Sequence, residues 1–281
     1  MYQLLAFILF REILTKMPDI YLTGFSGQIG SKVREYANSE NIKLNLLGRD
    51  KPELKPNEQF IYFNLNGQFN LQKVNKDSVI FHLAHDFSRD AGENNFISTK
   101  LLVTGLRKKG CKFVFTSTPL NQQGNMSHYQ ATKLKIDSLF DLEKDLIIKP
   151  SLVYSEQNGV NKVFKFLKDL KIPIPLPPIK NKIAPVCAKD LGKFILKSKL
   201  NLNLSGKILV VGAERMLFSK FLLTHHNLKN FYLPLVFFKI LTSLLTLLPL
   251  NSAFYFKERI HGLLNIPDLD QEANKERVFI L

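Results

Sequence analysis

The sequence predicts an α/β fold in which a parallel sheet is covered by helices on both faces, followed by a smaller lobe. Short apolar runs alternate with helical windows as far as Pro150, a pattern typical of parallel sheets. The first run, at Ile20, breaks into a glycine-rich turn that leads into a helix. After Pro150 the alternation gives way to proline-rich and strongly apolar stretches, which indicates the second lobe.

The expected elements follow in chain order. The strands are Ile20–Leu22, Leu44–Leu47, Phe60–Leu65, Ser78–Leu83, Lys112–Thr116 and Leu146–Ile148, with Lys207–Val211 as a later one. The helices are Ser31–Ser39, Asn95–Lys109, Tyr129–Leu142, Asn161–Leu170 and Ala188–Leu200. Gly110 directly follows three cations and is therefore expected to end the second of these helices. The proline-rich stretch Ile172–Ile179 predicts an extended connector.

Composition narrows the class of protein. The 281 residues are 45% hydrophobic, enough for a full α/β core, and carry a formal net charge of +15. The basic residues are scattered and no nucleic-acid module is present, so we expect a solvated basic surface, an anionic nucleotide ligand or an anionic membrane face rather than nucleic acid. Cys111 and Cys187 lack metal-ligand spacing, which indicates a reducing compartment and no metal site.

The turn after the first strand has the spacing that a dinucleotide requires. Gly24, Gly27 and Gly30 allow a tight bend, close approach of the backbone to a pyrophosphate, and close packing of helix on strand. Free N–H groups at the helix start would face the phosphates. A Rossmann-type doubly wound sheet is therefore predicted, and the turn is expected to contact the cofactor through Thr23, Gly24, Phe25, Ser26, Gly27, Gln28, Ile29 and Gly30.

Tyr129 and Lys133 form the candidate catalytic pair. They stand four residues apart, so a helix presents both on one face. The lysine lowers the pKa of the phenol and can bind a ribose, while the phenol exchanges a proton with a carbonyl or alcohol as a nicotinamide exchanges hydride. Upstream, the strand that ends in Phe113–Thr118 places hydroxyl groups at the carboxyl edge of the sheet, where ligands bind in such folds.

Together these features resemble the extended short-chain dehydrogenases/reductases of the nucleotide-sugar epimerase/dehydratase family. The turn is similar to that family's Thr-Gly-x-x-Gly-x-x-Gly, and the likeness runs from Ile20 to about Leu200. Further matching segments are His82-Leu83-Ala84, Asn95–Leu102, Lys149–Tyr154 and Lys189–Leu191, with a weaker match in the tail at Leu263–Asp268.

The resemblance assigns roles to individual residues. Tyr129, Lys133 and a strand-end hydroxyl are the expected catalytic residues; that hydroxyl is Thr118 by position, with Ser117 as the alternative. The expected further cofactor contacts are Leu83, Ala84, Lys133 and Pro150, with Asn64 and Leu65 at the adenine. His82 is expected to pack at a strand end rather than act as a base, and the His225-His226 pair is not expected to bind a metal.

Three departures from the family pattern narrow the reaction. Thr118 is followed by Pro119-Leu120 instead of the Asp-Glu of sugar 4,6-dehydratases, which makes dehydration improbable. The segment from Thr118 to Tyr129 is shorter than in typical epimerases. The arginine that usually grips the nucleotide diphosphate is here Ile183, and the candidate substitutes are Lys180, Lys182, Lys257 and Arg259.

Cofactor choice depends on the end of the second strand. A carboxylate there would bind the adenosine ribose and repel a 2′-phosphate, but Gly48 occupies that place and Arg49 follows it, which favours NADP. The alternative is that Asp50 reaches the ribose and the cofactor is NAD.

The sequence thus predicts an extension at residues 1–16, an NAD(P)-binding Rossmann domain at 17–150, and at 151–281 mostly a substrate-binding lobe, from which some segments return to the sheet. The expected function is 4-epimerisation or 4-keto reduction of a nucleotide-linked sugar in polysaccharide biosynthesis, with a non-catalytic NAD(P)-binding protein as the alternative. We expect a cytoplasmic protein, compatible with a homodimer. The apolar segment 231–250 carries Lys239, so a helix of the lobe or a peripheral membrane contact is expected rather than a span.

Overall fold

The computed structural model describes residues 17–67, 69–88, 91–119, 126–155, 169, 171, 173–178, 182–238, 240 and 276–281. The strands are β1 Ile20–Thr23, β2 Leu44–Gly48, β3 Glu58–Tyr62, β4 Val79–His82, β5 Lys112–Thr116, β6 Leu146–Pro150, β7 Val153–Tyr154, β8 Ile174–Leu176, β9 Lys182–Ile183, β10 Val186–Cys187, β11 Gly206–Val211, β12 Met216–Leu217, β13 Asn230–Tyr232 and β14 Arg277–Ile280. The helices are α1 Gln28–Ser39, α2 Ala91–Arg107, α3 His128–Asp137, α4 Ala188–Leu200 and α5 Phe218–His226.

An eight-stranded sheet in the order β14-β11-β6-β5-β4-β1-β2-β3 forms the centre of the molecule. Every pairing within it is parallel. Parallel strands need helical crossovers and are covered on both faces, so their residues are apolar almost without interruption. All residues of β1 and β4 are accordingly buried. The predicted Rossmann-type α/β fold is confirmed.

Successive residues of a strand point to opposite faces of the sheet, and this divides the core in two. Leu22 packs with α1 and α4 on one face, and its neighbour Tyr21 packs with α2 and α3 on the other. Helices α1 and α4 approach each other closely at Gly192, where an added Cβ would lie 2.8 Å from the carbonyl carbon of Lys32. Helices therefore cover both faces of the sheet, and its carboxyl edge is the place where a ligand site can form.

The six strands expected before Pro150 are present, with one shift. The third occupies Glu58–Tyr62 instead of Phe60–Leu65, because it pairs in register with β2 from Leu44 onward. The predicted helix stop is confirmed: α2 ends at Arg107, and Gly110 follows in the left-handed region with φ +76°.

Helix α3 ends at Asp137, five residues earlier than the sequence pattern suggests. The buried carboxylate of Asp145 accepts hydrogen bonds from the backbone N–H groups of Asp141 and Phe113 and pairs with Arg107. These contacts draw the chain after Asp137 away from the helix axis and into the start of β6.

Two later segments complete the sheet: β11 pairs with β6, and β14 forms the edge beyond β11. The remaining strands form small pairs, β7 with β10, β8 with β13, and β9 with β12. Helix α5 packs on this second part through Phe218, Phe221 and Leu222. The expected helix Asn161–Leu170, the extension at residues 1–16 and the tail at Leu263–Asp268 lie outside the described residues, apart from Asp169.

The apolar segment 231–250 is described only in its first part. β13 includes Phe231 and Tyr232, and residues 235–238 are helical. Among the described residues, no helix is both long and apolar enough to cross a membrane.

Candidate active site

The glycine turn between β1 and α1 has no room for a Cβ at Gly24 or Gly30. Gly24 has φ +70°, and a Cβ added there would lie 2.6 Å from the backbone nitrogen of Ala84. The Gly27 N–H donates to the Gly24 carbonyl at 2.9 Å, which closes the turn, and a Cβ on Gly30 would collide with that same carbonyl. Gly24 and Gly30 are therefore required by the close approach of β1, α1 and the loop that follows β4, whereas a Cβ on Gly27 would make one tight contact, 3.2 Å from the Gly24 carbonyl oxygen.

The N-terminus of α1 is suited to an anion. Gly27 is the N-cap, no side chain caps the helix, and its first turn contains no acidic residue. Ser26 and Gly27 are exposed at the carboxyl edge of the sheet. N–H groups and the helix dipole at such a position attract phosphate, so the turn fits the pyrophosphate of a dinucleotide. Gln28 donates from Nε2 to the Val153 carbonyl at 3.2 Å, which ties the turn to β7.

A buried chain of hydrogen bonds joins this turn to β4 and α2. Thr99 donates its hydroxyl proton to the Asn95 carbonyl at 2.7 Å, so its oxygen accepts from His82 Nε2 at 3.0 Å. His82 Nδ1 then accepts from the Thr23 hydroxyl at 2.9 Å. The Thr23 oxygen in turn accepts the N–H groups of Leu83 and Ala84, each at 3.1 Å. Each hydrogen bond in this series therefore has a defined donor and acceptor, and His82 carries its proton on Nε2.

His82 is therefore a structural residue. It is fully buried between Thr23 and Thr99, and burial, with a smaller effect of the Lys133 charge, lowers its pKa to about 3. A neutral ring whose two nitrogens are both engaged cannot serve as a base. This geometry agrees with the expectation from the sequence.

Asn95 holds the loop after β4 beside the candidate catalytic residue Tyr129. Its side chain accepts the Asp86 N–H at 2.9 Å and donates to the Asp86 carbonyl at 2.8 Å. The neighbouring rings reach Tyr129: His85 meets it edge-on with centroids 5.0 Å apart, and Phe87 stacks on it at 5.5 Å. Burial, followed by the charge of Lys133, lowers the pKa of His85 to about 2, so this ring is a neutral packing partner.

Helix α3 begins in a way that positions both catalytic candidates. Ser127 and Gln130 form a reciprocal capping box at its first turn. Tyr129 follows directly and is half-buried, and Lys133 lies one turn further, 3% exposed. Lys133 Nζ donates to the Thr116 carbonyl at 2.8 Å and lies 5.8 Å from the centre of the Tyr129 ring.

The surroundings of Lys133 disfavour its charge. Its ammonium group lies over the face of the Phe115 ring, 4.4 Å from the ring centre, in a cation–π contact that offsets only part of the cost of burial. Burial lowers the pKa of Lys133 to about 7, and Asp137 acts in the opposite direction. A lysine in this condition exchanges its proton near neutral pH, a range suited to acid–base chemistry.

The two candidate hydroxyls at the end of β5 lie in different environments. Ser117 is 5% exposed, and its oxygen finds no hydrogen-bond acceptor or donor among the described residues. It lies beside Asp137, close enough to lower that residue's pKa. Thr118 is half-buried, and its hydroxyl donates to the Pro119 carbonyl at 3.3 Å. Which of the two meets a substrate stays a prediction.

The end of β2 is shaped by Phe25. An added Cβ at Gly48 would lie 2.6 Å from Phe25 Cε1, so a strand-tip carboxylate at this position would require that ring to move. Arg49 and Asp50 are both exposed. Arg34, in contrast, is paired with the buried Glu58 at 2.7 Å through Nε. Asn64 and Leu65 are half-buried, and Pro150 is buried at the end of β6.

The structure adds residues that the sequence had not singled out: His85 and Phe87 pack on Tyr129, and Asp137 is buried one helical turn after Lys133. It also assigns contacts within the matching segment Asn95–Leu102, where Thr99 orients His82 and Asn95 holds the loop after β4. Asp137 had a usable signal, since it continues the four-residue spacing of the catalytic pair. No cluster of metal-ligand type occurs in the part of the chain that the structure describes. His225 and His226 pack on Phe221.

The chain is similar in sequence to one protein family and similar in structure to several solved proteins. The sequence model of the NAD dependent epimerase/dehydratase family matches residues 20–164. No curated protein matches the sequence. A nucleoside-diphosphate-sugar epimerase from Staphylococcus aureus is similar in structure, with a TM-score of 0.68 and 12% identity over 92% of this chain and 96% of that chain.

Two further solved structures share the architecture. UDP-N-acetylglucosamine 4-epimerase from Bacillus cereus has a TM-score of 0.61 and 17% identity over 76% of this chain and 85% of its own. dTDP-glucose 4,6-dehydratase from Bacillus anthracis, in complex with NAD, has a TM-score of 0.61 and 18% identity over 77% and 84%. At these identities the likeness is one of fold.

Proposed function

The chain belongs to the NAD dependent epimerase/dehydratase family, and on that premise we propose that it is an NAD(P)-dependent epimerase or 4-keto reductase of a nucleotide-linked sugar. The observation that carries this proposal is the Tyr129–Lys133 pair. A half-buried phenol and a buried lysine lie one helical turn apart. Lys133 reaches the carbonyl at the end of β5, at the same sheet edge as the glycine turn.

The two side chains have complementary roles. The Lys133 cation stabilises the phenolate form of Tyr129, which lets Tyr129 take the proton of a sugar hydroxyl or return it to a ketone. Thr118, or alternatively Ser117, donates a hydrogen bond to the reacting oxygen. His85 and Phe87 pack on the Tyr129 ring and limit its orientations. A nicotinamide dinucleotide, when bound at the glycine turn, supplies hydride transfer.

Epimerisation or reduction fits these residues better than dehydration. Sugar 4,6-dehydration needs an acid and a base after the strand-end threonine, but here Thr118 is followed by Pro119 and Leu120. NADP is the favoured cofactor because Gly48 is packed against Phe25 and carries no carboxylate, while Arg49 is exposed beside it.

The deciding experiment measures the cofactor. Purified protein is extracted for bound nicotinamide and then titrated with NADPH and NADH by fluorescence. R49Q is expected to weaken NADPH binding about tenfold, the loss of one charge-assisted hydrogen bond, with little effect on NADH. K51Q removes an exposed cation two residues away and is the matched control. Tightly retained NAD(H) would overturn the NADP assignment and favour an epimerase, and binding of neither would overturn the catalytic proposal.

The Tyr129 role is tested with UDP- and dTDP-linked sugars, following the C4 epimer and reduction of a 4-keto sugar. Y129F keeps the ring that packs on His85 and Phe87 and removes only the hydroxyl. We expect it to lose at least about a hundredfold in turnover, typical of a general acid–base. Turnover by Y129F at the wild-type rate would contradict the assignment.

One observation favours a second function, a non-catalytic NAD(P)-binding protein. Ile183, at the usual place of the diphosphate-gripping arginine, is 2% exposed and packs with Met216 in the second part of the chain. Cofactor binding without turnover of any tested sugar nucleotide would support this alternative.

We also propose a peripheral membrane contact at the apolar surface formed by the described residues 231–238 and 240. Val236 and Phe237 are 68% and 61% exposed there, on a chain of net charge +15. Co-sedimentation with phosphatidylglycerol vesicles is expected, and F237S should weaken it. L202S replaces a leucine elsewhere on the surface that is 55% exposed, and it is the control. Failure of the wild type to bind these vesicles would contradict the proposal.

A further inference from the structure

A buried carboxylate lies on the catalytic face of α3. Tyr129, Lys133 and Asp137 follow one another at four-residue spacing, so they share one face of the helix. Asp137 is 3% exposed, and neither of its carboxylate oxygens makes a hydrogen bond with any described residue. Burying a carboxylate costs free energy unless nearby charges or hydrogen bonds compensate it. The groups that surround Asp137 therefore decide why it is tolerated here.

The groups that face Asp137 come from four elements. Burial is the largest effect and leaves the pKa of Asp137 above its ordinary value, although the Ser117 hydroxyl and the cations Lys149, Lys207 and Lys133 act in the opposite direction. Lys149 is itself buried and paired with Glu276, at the start of β14. The three lysines oppose the effect of burial on Asp137, and the ionised carboxylate places a negative charge one helical turn from Lys133.

A negative charge near Lys133 favours the protonated form of its side chain. Its neighbours are the Phe115 ring, the Tyr129 ring and the Thr116 carbonyl, and His82 and His85 nearby are neutral. Asp137 is the charge that opposes the effect of burial on Lys133. No hydrogen bond joins the two residues among the described contacts, so Asp137 acts through space and leaves the remaining N–H groups of Lys133 to a ligand.

We propose that Asp137 is a positioning residue that acts through Lys133: its buried carboxylate keeps the Lys133 ammonium group charged beside the Tyr129 phenol. The inference deepens the proposed function, on which its catalytic meaning rests. Its physical content can be measured without any substrate.

The test is a titration of Lys133 by NMR in full-length protein labelled with [13Cε]lysine. A lysine that titrates near neutral pH stands apart from surface lysines, and its loss in K133M assigns the signal. Replacing Asp137 with neutral asparagine removes the stabilising charge, so D137N is expected to lower the Lys133 midpoint by about one pH unit. D137E, which restores the carboxylate, should bring the midpoint back towards that of the wild type.

D141N is the matched control, because Asp141 is an acidic residue that follows Asp137 by four positions, lies beyond the end of α3 and pairs with Lys144. It should leave the Lys133 midpoint unchanged. If D137N does not fold, the same comparison is made with D137S. An unchanged midpoint in a folded neutral variant would overturn the inference. A shifted midpoint in a protein that turns over no sugar nucleotide would support the inference while refuting the proposed function.

Discussion

Acidification should destabilise this protein through His82, and the size of the effect follows from the hydrogen-bonded chain around it. The folded state holds the ring neutral with a pKa of about 3, against an ordinary value of 6.5. In the unfolded chain, His82 therefore binds a proton as the pH falls below 6.5. In the folded chain, the same ring stays neutral until the pH approaches about 3. The stability contributed by the neutral ring is complete above 6.5 and is lost as the pH falls through this window.

The magnitude can be worked from those values. At about pH 5, protonation of the unfolded state costs the folded protein about 2 kcal/mol for one such histidine. This figure is insensitive to the folded-state pKa, because that value already lies well below 5. His85, with a pKa of about 2, should add a similar loss. Together these losses amount to a large part of the stability of an ordinary domain.

The assay is urea unfolding at about pH 7.5 and pH 5, comparing wild type with H82N, which cannot be protonated. H82N is expected to be less stable at the higher pH, because it disturbs the Thr23 and Thr99 contacts, but to lose about 2 kcal/mol less on acidification. H128Q, at an exposed histidine, is the control and should keep the wild-type pH dependence. If H82N and wild type lose the same free energy between the two pH values, the reasoning is refuted.

Three further perturbations test other parts of the structure. G30A places a Cβ against the Gly24 carbonyl and should abolish NADPH binding measured by fluorescence; wild-type affinity in G30A would show that the turn is not the cofactor site. E58Q should lower the free energy of unfolding by about 3 kcal/mol at neutral pH, because the buried carboxylate accepts from Arg34 and Asn38. Since the pKa of Glu58 is lowered to about 2, the difference between E58Q and wild type should shrink as the pH falls from 4.5 towards that value. N95A removes both hydrogen bonds to Asp86 and should cost about 1–3 kcal/mol in urea unfolding, together with faster hydrogen exchange in the loop at residues 83–88.

Local sequence patterns determined much of the fold and of the candidate site. The apolar runs specified six strands of the sheet, because a strand buried on both faces needs continuous hydrophobic residues. The glycine spacing at Thr23–Gly30 predicted a turn in which the structure leaves no room for a Cβ at Gly24. The four-residue spacing of Tyr129 and Lys133 placed them on one helical face, since helical geometry is local.

Only the tertiary structure decided what surrounds those residues. His85 and Phe87 are distant from Tyr129 along the chain and meet it only because Asn95, on another helix, holds their loop. The early end of α3 depends on Asp145, which is drawn into the sheet by Arg107 and Phe113. The charge balance at Lys133 likewise depends on burial, and burial arises only when separate elements pack together and exclude water. A sequence pattern specifies which residues lie on the same face of a helix or strand. The packing of helices and strands determines which charged groups are buried together.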